Sequence, residues 1–200
     1  MMNPKKIFDF IAKNNPKYDL KSYIGADPRL VQFMDNPTEG QKKHLIRNHP
    51  ELYYTIKNPS IELQIFAIKS STYPINDFAH KTKKRELSDW FDLDSFEIQY
   101  ALVRKDPILL IYLKEPDEGL KLEAVHIDPT MIKYIFRPSE EVQLLAVSKD
   151  GILISVIVDP SEQVQLAAIE NDVNSFYFIH NPTERVKKRF KYLTEPDDQD

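Results

Sequence analysis

The residues of this chain best suited to chemistry are cations and aromatic rings rather than a catalytic constellation. Lys81, Lys83, Lys84 and Arg85 form a basic run, followed closely by Trp90 and Phe91. Clustered cations beside aromatic rings suit contact with phosphate or with an acidic partner. As a structural alternative, Trp90 and Phe91 plug a kink behind a solvated basic helix. A second cluster, Arg185, Lys187, Lys188, Arg189 and Lys191, offers the same phosphate chemistry or forms the polar outer face of a helix. The histidines, His44, His49, His80, His126 and His180, have no metal-ligand spacing with a third ligand nearby. No glycine-rich phosphate loop, nucleophile elbow or paired-histidine zinc motif occurs. There is no cysteine, hence no thiolate ligand, thiol nucleophile or disulfide. The expectation is a non-enzymatic chain with no catalytic, cofactor-binding or metal-binding residues.

These side chains are positioned by a repeat. Pro116, Pro138, Pro160 and Pro182 are each 22 residues apart, as are Pro37 and Pro59. The same words follow the prolines: Pro59-Ser60-Ile61-Glu62-Leu63-Gln64, Pro138-Ser139-Glu140-Glu141-Val142-Gln143 and Pro160-Ser161-Glu162-Gln163-Val164-Gln165. A fixed period of this length marks an array of stacked units. Counting from the proline as zero, position +4 holds Leu63, Ile98, Leu120, Val142, Val164 and Val186. Positions +8 and +9 hold Ala67-Ile68, Leu102-Val103, Ala124-Val125, Ala146-Val147 and Ala168-Ile169. With apolar residues also at +6, the spacing predicts a helix buried on two sides. A second helix begins at +13, at Pro28, Pro50, Pro107 and Pro129, with Gly151 and Val173 in the remaining slots. Its inward face carries +16 and +19: Val31, Tyr53, Leu110, Ile132, Ile154 and Phe176, then Met34, Ile56, Leu113, Ile135, Ile157 and Ile179.

The prolines read as first residues of helices, where the missing N–H costs nothing. Asn36, Asn58, Asp159 and Asn181 then read as N-caps of the first helices, and Asp27, Asp106 and Asp128 as N-caps of the second. Asp159-Pro160-Ser161-Glu162 has capping-box spacing, as do the stretches from Asn36 to Glu39 and from Asn181 to Glu184.

The organisation expected is a single domain over 1–194. It has a capping helix at 3–14 and repeats at 15–36, 37–58, 59–93, 94–115, 116–137, 138–159 and 160–181. A terminal half-unit spans 182–194 and an acidic disordered tail 195–200. The 59–93 unit carries 13 extra residues, since 35 separate Pro59 from Asp94. Insertions in such arrays often carry contacts. Net charge is −4, but residues 1–92 carry +4 and residues 93–200 carry −8. No long apolar run or secretion signal is present, and a cytoplasmic protein that does not enter membranes is expected.

Two rows recur across the array. Gln64, Gln99, Gln143 and Gln165 share position +5, as a ladder bridging repeats or a polar recognition stripe. Phe33, Tyr112, Tyr134, Val156 and Phe178 share +18, with Tyr54, Ile111 and Tyr177 at +17. They form either the edge of the core or an exposed strip on which Tyr112, Tyr134 and Tyr177 meet a partner.

The proline-punctuated words resemble short α-solenoid repeats of the HEAT/armadillo class, and in detail the compact leucine-rich-repeat-variant arrays. Similar words occur in uncharacterised bacterial and bacteriophage proteins. The resemblance covers nearly all of 15–194. It implies an all-α, right-handed α-solenoid of short αα-hairpin repeats with proline at the first helical position, acting as a scaffold that holds another macromolecule. For a phage protein it implies binding to or inhibition of a host protein. Two alternatives accompany that expectation. One is a nucleic-acid-binding solenoid that uses 81–85 and 185–191, against which the acidic balance weighs. The other is a structural component of a virion.

Overall fold

The computed structural model describes residues 4–14, 24–25, 27–71 and 86–195. Among these, every regular element is helical, and the elements alternate with the period of the sequence. Packing divides the chain into two compact units, Met1–Ala101 and Leu102–Asp200. The boundary falls inside one helix, α4 (Phe96–Lys105).

The first unit contains α1 (Pro4–Asn14), η1 (Pro28–Phe33), α2 (Glu39–Asn48), η2 (Pro50–Thr55), α3 (Ile61–Ser70) and η3 (Leu87–Asp89). Its core joins Ile11 of α1 to Ile24, Leu30, Val31 and Leu45, with Ile7 and Phe8 packed alongside. The second contains η4 (Pro107–Tyr112), α5 (Glu118–Ile127), η5 (Pro129–Tyr134), α6 (Glu140–Lys149), η6 (Gly151–Val156), α7 (Glu162–Asn171), η7 (Val173–Phe178) and α8 (Glu184–Thr194). Within it α5 to α8 stack in order as one layer, and η4 to η7 stack as the other. This is solenoid packing. No helix of the described residues is long and apolar enough to cross a membrane.

Burial follows the repeat. All six residues at +4, from Leu63 to Val186, are fully buried, as are Ala124, Ala146 and Ala168 at +8 and Val103, Val125 and Val147 at +9. The small +8 residue lets the next α-helix approach. The +16 residues Leu110, Ile132 and Ile154 and the +19 residues Leu113, Ile135, Ile157 and Ile179 complete the core. A row the pattern had not singled out, Leu109, Met131, Leu153 and Ser175 at +15, is buried as well.

The second helix of each unit is a helix as expected, but a 3-10 helix rather than an α-helix. Its cap favours the tighter turn. The side chains of Asp27, Asp106, Asp128, Asp150 and Asp172 each accept a hydrogen bond from the N–H two residues on, as in an Asx-turn. Asp27, Asp106 and Asp128 are therefore N-caps as expected, with proline following. Geometry also demands it. A six-residue 3-10 helix rises about 12 Å, close to the ~15 Å of a ten-residue α-helix, whereas six α-helical residues would rise only about 9 Å.

The caps of the α-helices differ from the sequence expectation by two residues. Thr38, Ser60, Asp117, Ser139, Ser161 and Thr183 are the N-caps, each accepting from the N–H three residues on. The prolines of this set lie outside the α-helices, one residue before the caps. Asn36, Asn58, Asp159 and Asn181 are consequently not caps. The capping box in the first of these units pairs Thr38 with Gln41, not Asn36 with Glu39. The reason is the chain's need to reverse between layers. Asn58, Glu115, Arg137 and Asp159 adopt φ between 45° and 50°, the left-handed region. Proline then follows, and the helix starts only after the turn. Asparagine and aspartate tolerate this conformation better than glutamate or arginine.

Two predictions follow from this backbone. Replacing Glu115 with Asn should raise the thermal midpoint, and Glu115→Val should lower stability by about 1–2 kcal/mol, because β-branching opposes the left-handed turn. The opposite ranking in thermal melts would refute the strain. At Gly151 a Cβ would lie 2.4 Å from the carbonyl oxygen of Ala168 and 2.6 Å from Ser175 Oγ. Gly151→Ala should therefore cost about 1–3 kcal/mol in urea denaturation. Adding Ser175→Ala should not restore it, because the closer clash is with backbone. A Gly151→Ala protein with an unchanged midpoint would show that η6 shifts freely, contrary to this packing.

Candidate interaction surface

Short helices leave many backbone groups unpaired, and side chains from neighbouring repeats complete them. Of the +5 glutamines, Gln64 and Gln165 act as such connectors, while Gln99 and Gln143 bond a carbonyl of their own turn. Gln64, Gln143 and Gln165 donate from Nε2 to the carbonyls of Pro59, Pro138 and Pro160 at 3.1, 2.9 and 3.0 Å. Gln99 donates to the Leu93 carbonyl at 2.6 Å. On the other side of the amide, Gln64 Oε1 accepts from Asp92 N at 2.7 Å and Gln165 Oε1 from Thr183 N at 3.2 Å. One amide thus joins its own proline turn to a later segment. Where the slot holds lysine, the side chain turns to its own helix: Lys42 to Glu39, Lys121 to Glu118 and Lys187 to Glu184.

Other polar groups also reach across repeats. Ser139 Oγ donates to Glu118 and Ser161 Oγ to Glu140, so each of these caps is tied to the preceding helix. Lys149 Nζ donates to the His126 carbonyl and Asn171 Nδ2 to the Ser148 carbonyl, both at 2.8 Å. Asn171 Oδ1 meanwhile accepts from Gly151 N at 2.8 Å. These carbonyls and carboxylates are engaged in holding the array together.

The sequence-derived site residues fall into three groups. Lys81, Lys83, Lys84 and Arg85 lie outside the described residues. Trp90 and Phe91 are buried, at 7% and 5% exposure, and do not belong to an open binding surface. Phe91 stacks on Tyr53 with ring centroids 5.5 Å apart, and Tyr54 meets the Trp90 ring edge-on at 5.8 Å. Tyr53 Oη donates to the Trp90 carbonyl at 2.9 Å, and burial pushes the Tyr53 phenol pKa up. The pair plugs the first unit's core, the structural alternative open in the sequence.

The basic cluster on α8 is largely paired. Arg185 meets Glu162 at 3.5 Å, Lys187 meets Glu184 at 2.7 Å, Lys191 approaches Glu195 at 4.0 Å, and Arg189 holds Glu170 in a two-pronged pair. The Arg189 hydrogen bond keeps the Glu170 carboxyl below its ordinary pKa. Lys188 is exposed and makes no close ion pair among the described residues, although its charge helps lower the Glu184 pKa after the Lys187 hydrogen bond and charge.

Tyr112, Tyr134 and Tyr177 are all exposed, and their surroundings form the most coherent surface of the second unit. In each of its four repeats the chain leaves the 3-10 helix in an extended conformation at +19. Extended backbone alternates its side chains. Hence +18 points out, +19 is buried and +20 points out. The outward residues are Tyr112 and Lys114, Tyr134 and Phe136, Val156 and Val158, and Phe178 and His180. Phe136 and Val158 are each 84% exposed and Tyr177 is 73% exposed. The +20 position escaped the sequence reading. Its alternation with +18 becomes visible only if that segment is known to be extended.

Grooves run between these segments. One of about 420 Å³ lies between repeats 94–115 and 116–137, lined by Leu110, Leu113, Pro116, Lys121, Tyr134 and Phe136. Its counterpart two repeats on, of about 450 Å³, uses equivalent positions: Ile154, Ile157, Pro160, Gln165 and Phe178. Among the described residues no cluster of three or more histidines or carboxylates could hold a metal ion. No family model, curated protein or solved structure matches this chain.

The connector role of the glutamines is testable. Gln165→Leu leaves the Pro160 carbonyl and the Thr183 N–H without their partner and should cost about 1–3 kcal/mol in chemical denaturation. Lys187→Leu, in the same slot one repeat on, loses only an exposed pair and should change stability by less than about 0.5 kcal/mol. Equal costs at the two positions would show that the amide does not join the repeats.

Proposed function

We propose that this chain is a non-enzymatic scaffold that binds another protein through the edge formed by its 3-10 helices. The observation that carries the reading is the out–in–out alternation at +18, +19 and +20, which leaves tyrosine, phenylalanine and valine exposed in register along four successive repeats. Contiguous exposed apolar surface on a polar protein marks interaction sites, and aromatic residues are favoured anchors in protein interfaces. The repeat supplies the rigidity such a surface needs, since each +18 and +20 residue flanks a buried +19.

The chemistry of the carboxylates points the same way. Asp27, Asp106, Asp117, Asp128, Asp150 and Asp172 cap helices, and Glu118, Glu140 and Glu170 are bound to neighbouring repeats. Groups committed in this way are poor candidates for acid–base work. The pairing of the α8 cations weighs against the nucleic-acid alternative, because phosphate binding draws on free positive charge. Resemblance to HEAT/armadillo and leucine-rich-repeat-variant arrays, and to uncharacterised bacterial and bacteriophage proteins, fits the same reading; in a phage the bound protein would be one of the host's.

The test is capture of partners by the tagged full-length protein from an extract of the cells that make it, with and without nuclease. The expected result is a stoichiometric protein retained after nuclease treatment and lost from the Tyr134→Ala/Tyr177→Ala variant. Recovery of nucleic acid alone, or of proteins released by nuclease, would overturn the scaffold reading.

A further inference from the structure

The two equivalent grooves of the second unit have similar volumes but different electrical settings. Residues 102–200 carry 12 lysines and arginines against 18 aspartates and glutamates, so the unit is acidic overall. Most of its cations are occupied. Lys121, Arg104, Arg185, Lys187 and Arg189 each face a glutamate, and Lys149 is bound to a backbone carbonyl. Lys114 and Lys133 have no carboxylate partner among the described residues. The Arg137 guanidinium lies over the Phe136 ring, 5.1 Å from its centroid, without a carboxylate. All three are exposed, and all belong to the segments that form the groove between repeats 94–115 and 116–137. Glu115 is the one acid in that groove's lining. At the counterpart groove the corresponding positions hold Val158, Tyr177 and Asn181, with Asp159 in the lining and no lysine or arginine.

Charge left uncompensated around an apolar cleft, on a unit that pairs most of its other cations, sets the character of the occupant. We infer that the groove bounded by Leu113, Tyr134 and Phe136 receives an aromatic or large aliphatic side chain from an acidic peptide segment of a partner protein, with Lys114, Lys133 and Arg137 meeting the flanking carboxylates. The inference rests on the scaffold reading and adds the class of segment recognised. The apolar floor supplies the contact area, while the cations select the partner and speed its encounter. Arginine stacked on phenylalanine keeps its donor edge available to a carboxylate while its face is covered. A lipid surface fits less well. The apolar residues line a cleft that admits a side chain, and the surrounding unit repels an anionic bilayer.

A random dodecapeptide display library selected on the full-length protein tests this. Enrichment of sequences with an aromatic or large aliphatic residue flanked by aspartate or glutamate is expected. The enriched peptides should bind the Lys133→Glu/Arg137→Glu variant at least tenfold more weakly, and Tyr134→Ala should weaken them as well. Glutamate is tolerated at 137, because Glu115 occupies the equivalent turn with φ of 45°. The charge-matched control, Lys188→Glu/Lys191→Glu on the exposed face of α8 and away from this edge, should stay within about threefold of the parent; thermal melts should confirm that both variants fold. Absence of acidic–aromatic enrichment, equal loss in the control, or binding through the same residues to phosphatidylserine vesicles would overturn the inference. A partner captured from extract that binds Lys133→Glu/Arg137→Glu as tightly as the parent would leave the scaffold standing and remove this groove from its interface. Capture of nucleic acid alone would remove both.

Discussion

Two helices of unequal length must span the same height in every repeat, and that constraint shapes the rest of the molecule. The α-helix has ten residues and its partner six. Only the longer rise of the 3-10 helix lets six residues approach the height of ten. The remainder is covered by chain that leaves the 3-10 helix extended at +19, and in four repeats a left-handed residue at +21 and the proline after it turn the chain back. Extended backbone alternates its side chains, so burying +19 forces +18 and +20 outward. The aromatic edge is thus a direct consequence of how the repeat closes. Its positions are fixed by the backbone, while its residue types remain free to vary.

Closing the repeat this way creates a second demand. Each short helix has as many unpaired backbone groups at its ends as a long one, so they form a larger share of the whole. Burying them unpaired would cost about 1–3 kcal/mol apiece. The chain meets the demand with side chains that cross between repeats: glutamine at +5, serine at +1, and asparagine or lysine at +11. Such bonds tie the register of one repeat to that of the next. Where +5 is lysine, the side chain turns inward to an i,i+3 glutamate, and the bonds between repeats come from the other positions.

Much of this was legible in the sequence, and the omissions have definite causes. The +4, +8, +9, +16 and +19 positions show their burial directly through type and spacing. The kind of second helix does not show, because +16 and +19 are three apart and that interval suits 3-10 and α geometry equally over six residues. At Asn58 and Asp159 the caps were displaced because Asn-Pro and Asp-Pro satisfy two rules at once. The residue before proline avoids the right-handed helical region, which fits an N-cap, but asparagine and aspartate also accept the left-handed turn. Only the following Ser or Thr, whose side chain reaches the N–H three residues on, distinguishes the two. Trp90 and Phe91 could not be placed from local pattern. Their burial depends on Tyr53, whose hydroxyl meets the Trp90 carbonyl across 37 residues of sequence. The cationic groove needed the third dimension as well. Lys121 has Glu118 three residues before it, but that Lys133 lies beside a groove shows only in the fold.

This division of labour separates the groups that hold the array together from those it displays. Many carboxylates and amides are committed to caps and to bonds between repeats. What remains uncommitted lies at +17, +18, +20 and +21, where substitution leaves the core intact. Adjacent repeats with the same backbone therefore present different chemistry, basic and aromatic around Tyr134 and Arg137, aliphatic and near neutral around Val156 and Val158. A partner that crosses several repeats would read those positions in sequence, each contributing modestly. The stacked core holds them in register in the free chain, which would lower the ordering cost of any binding there. Rigidity at +19 and variability at +18 and +20 are then two sides of the same alternation, and recognition can change by surface substitution without rebuilding the fold.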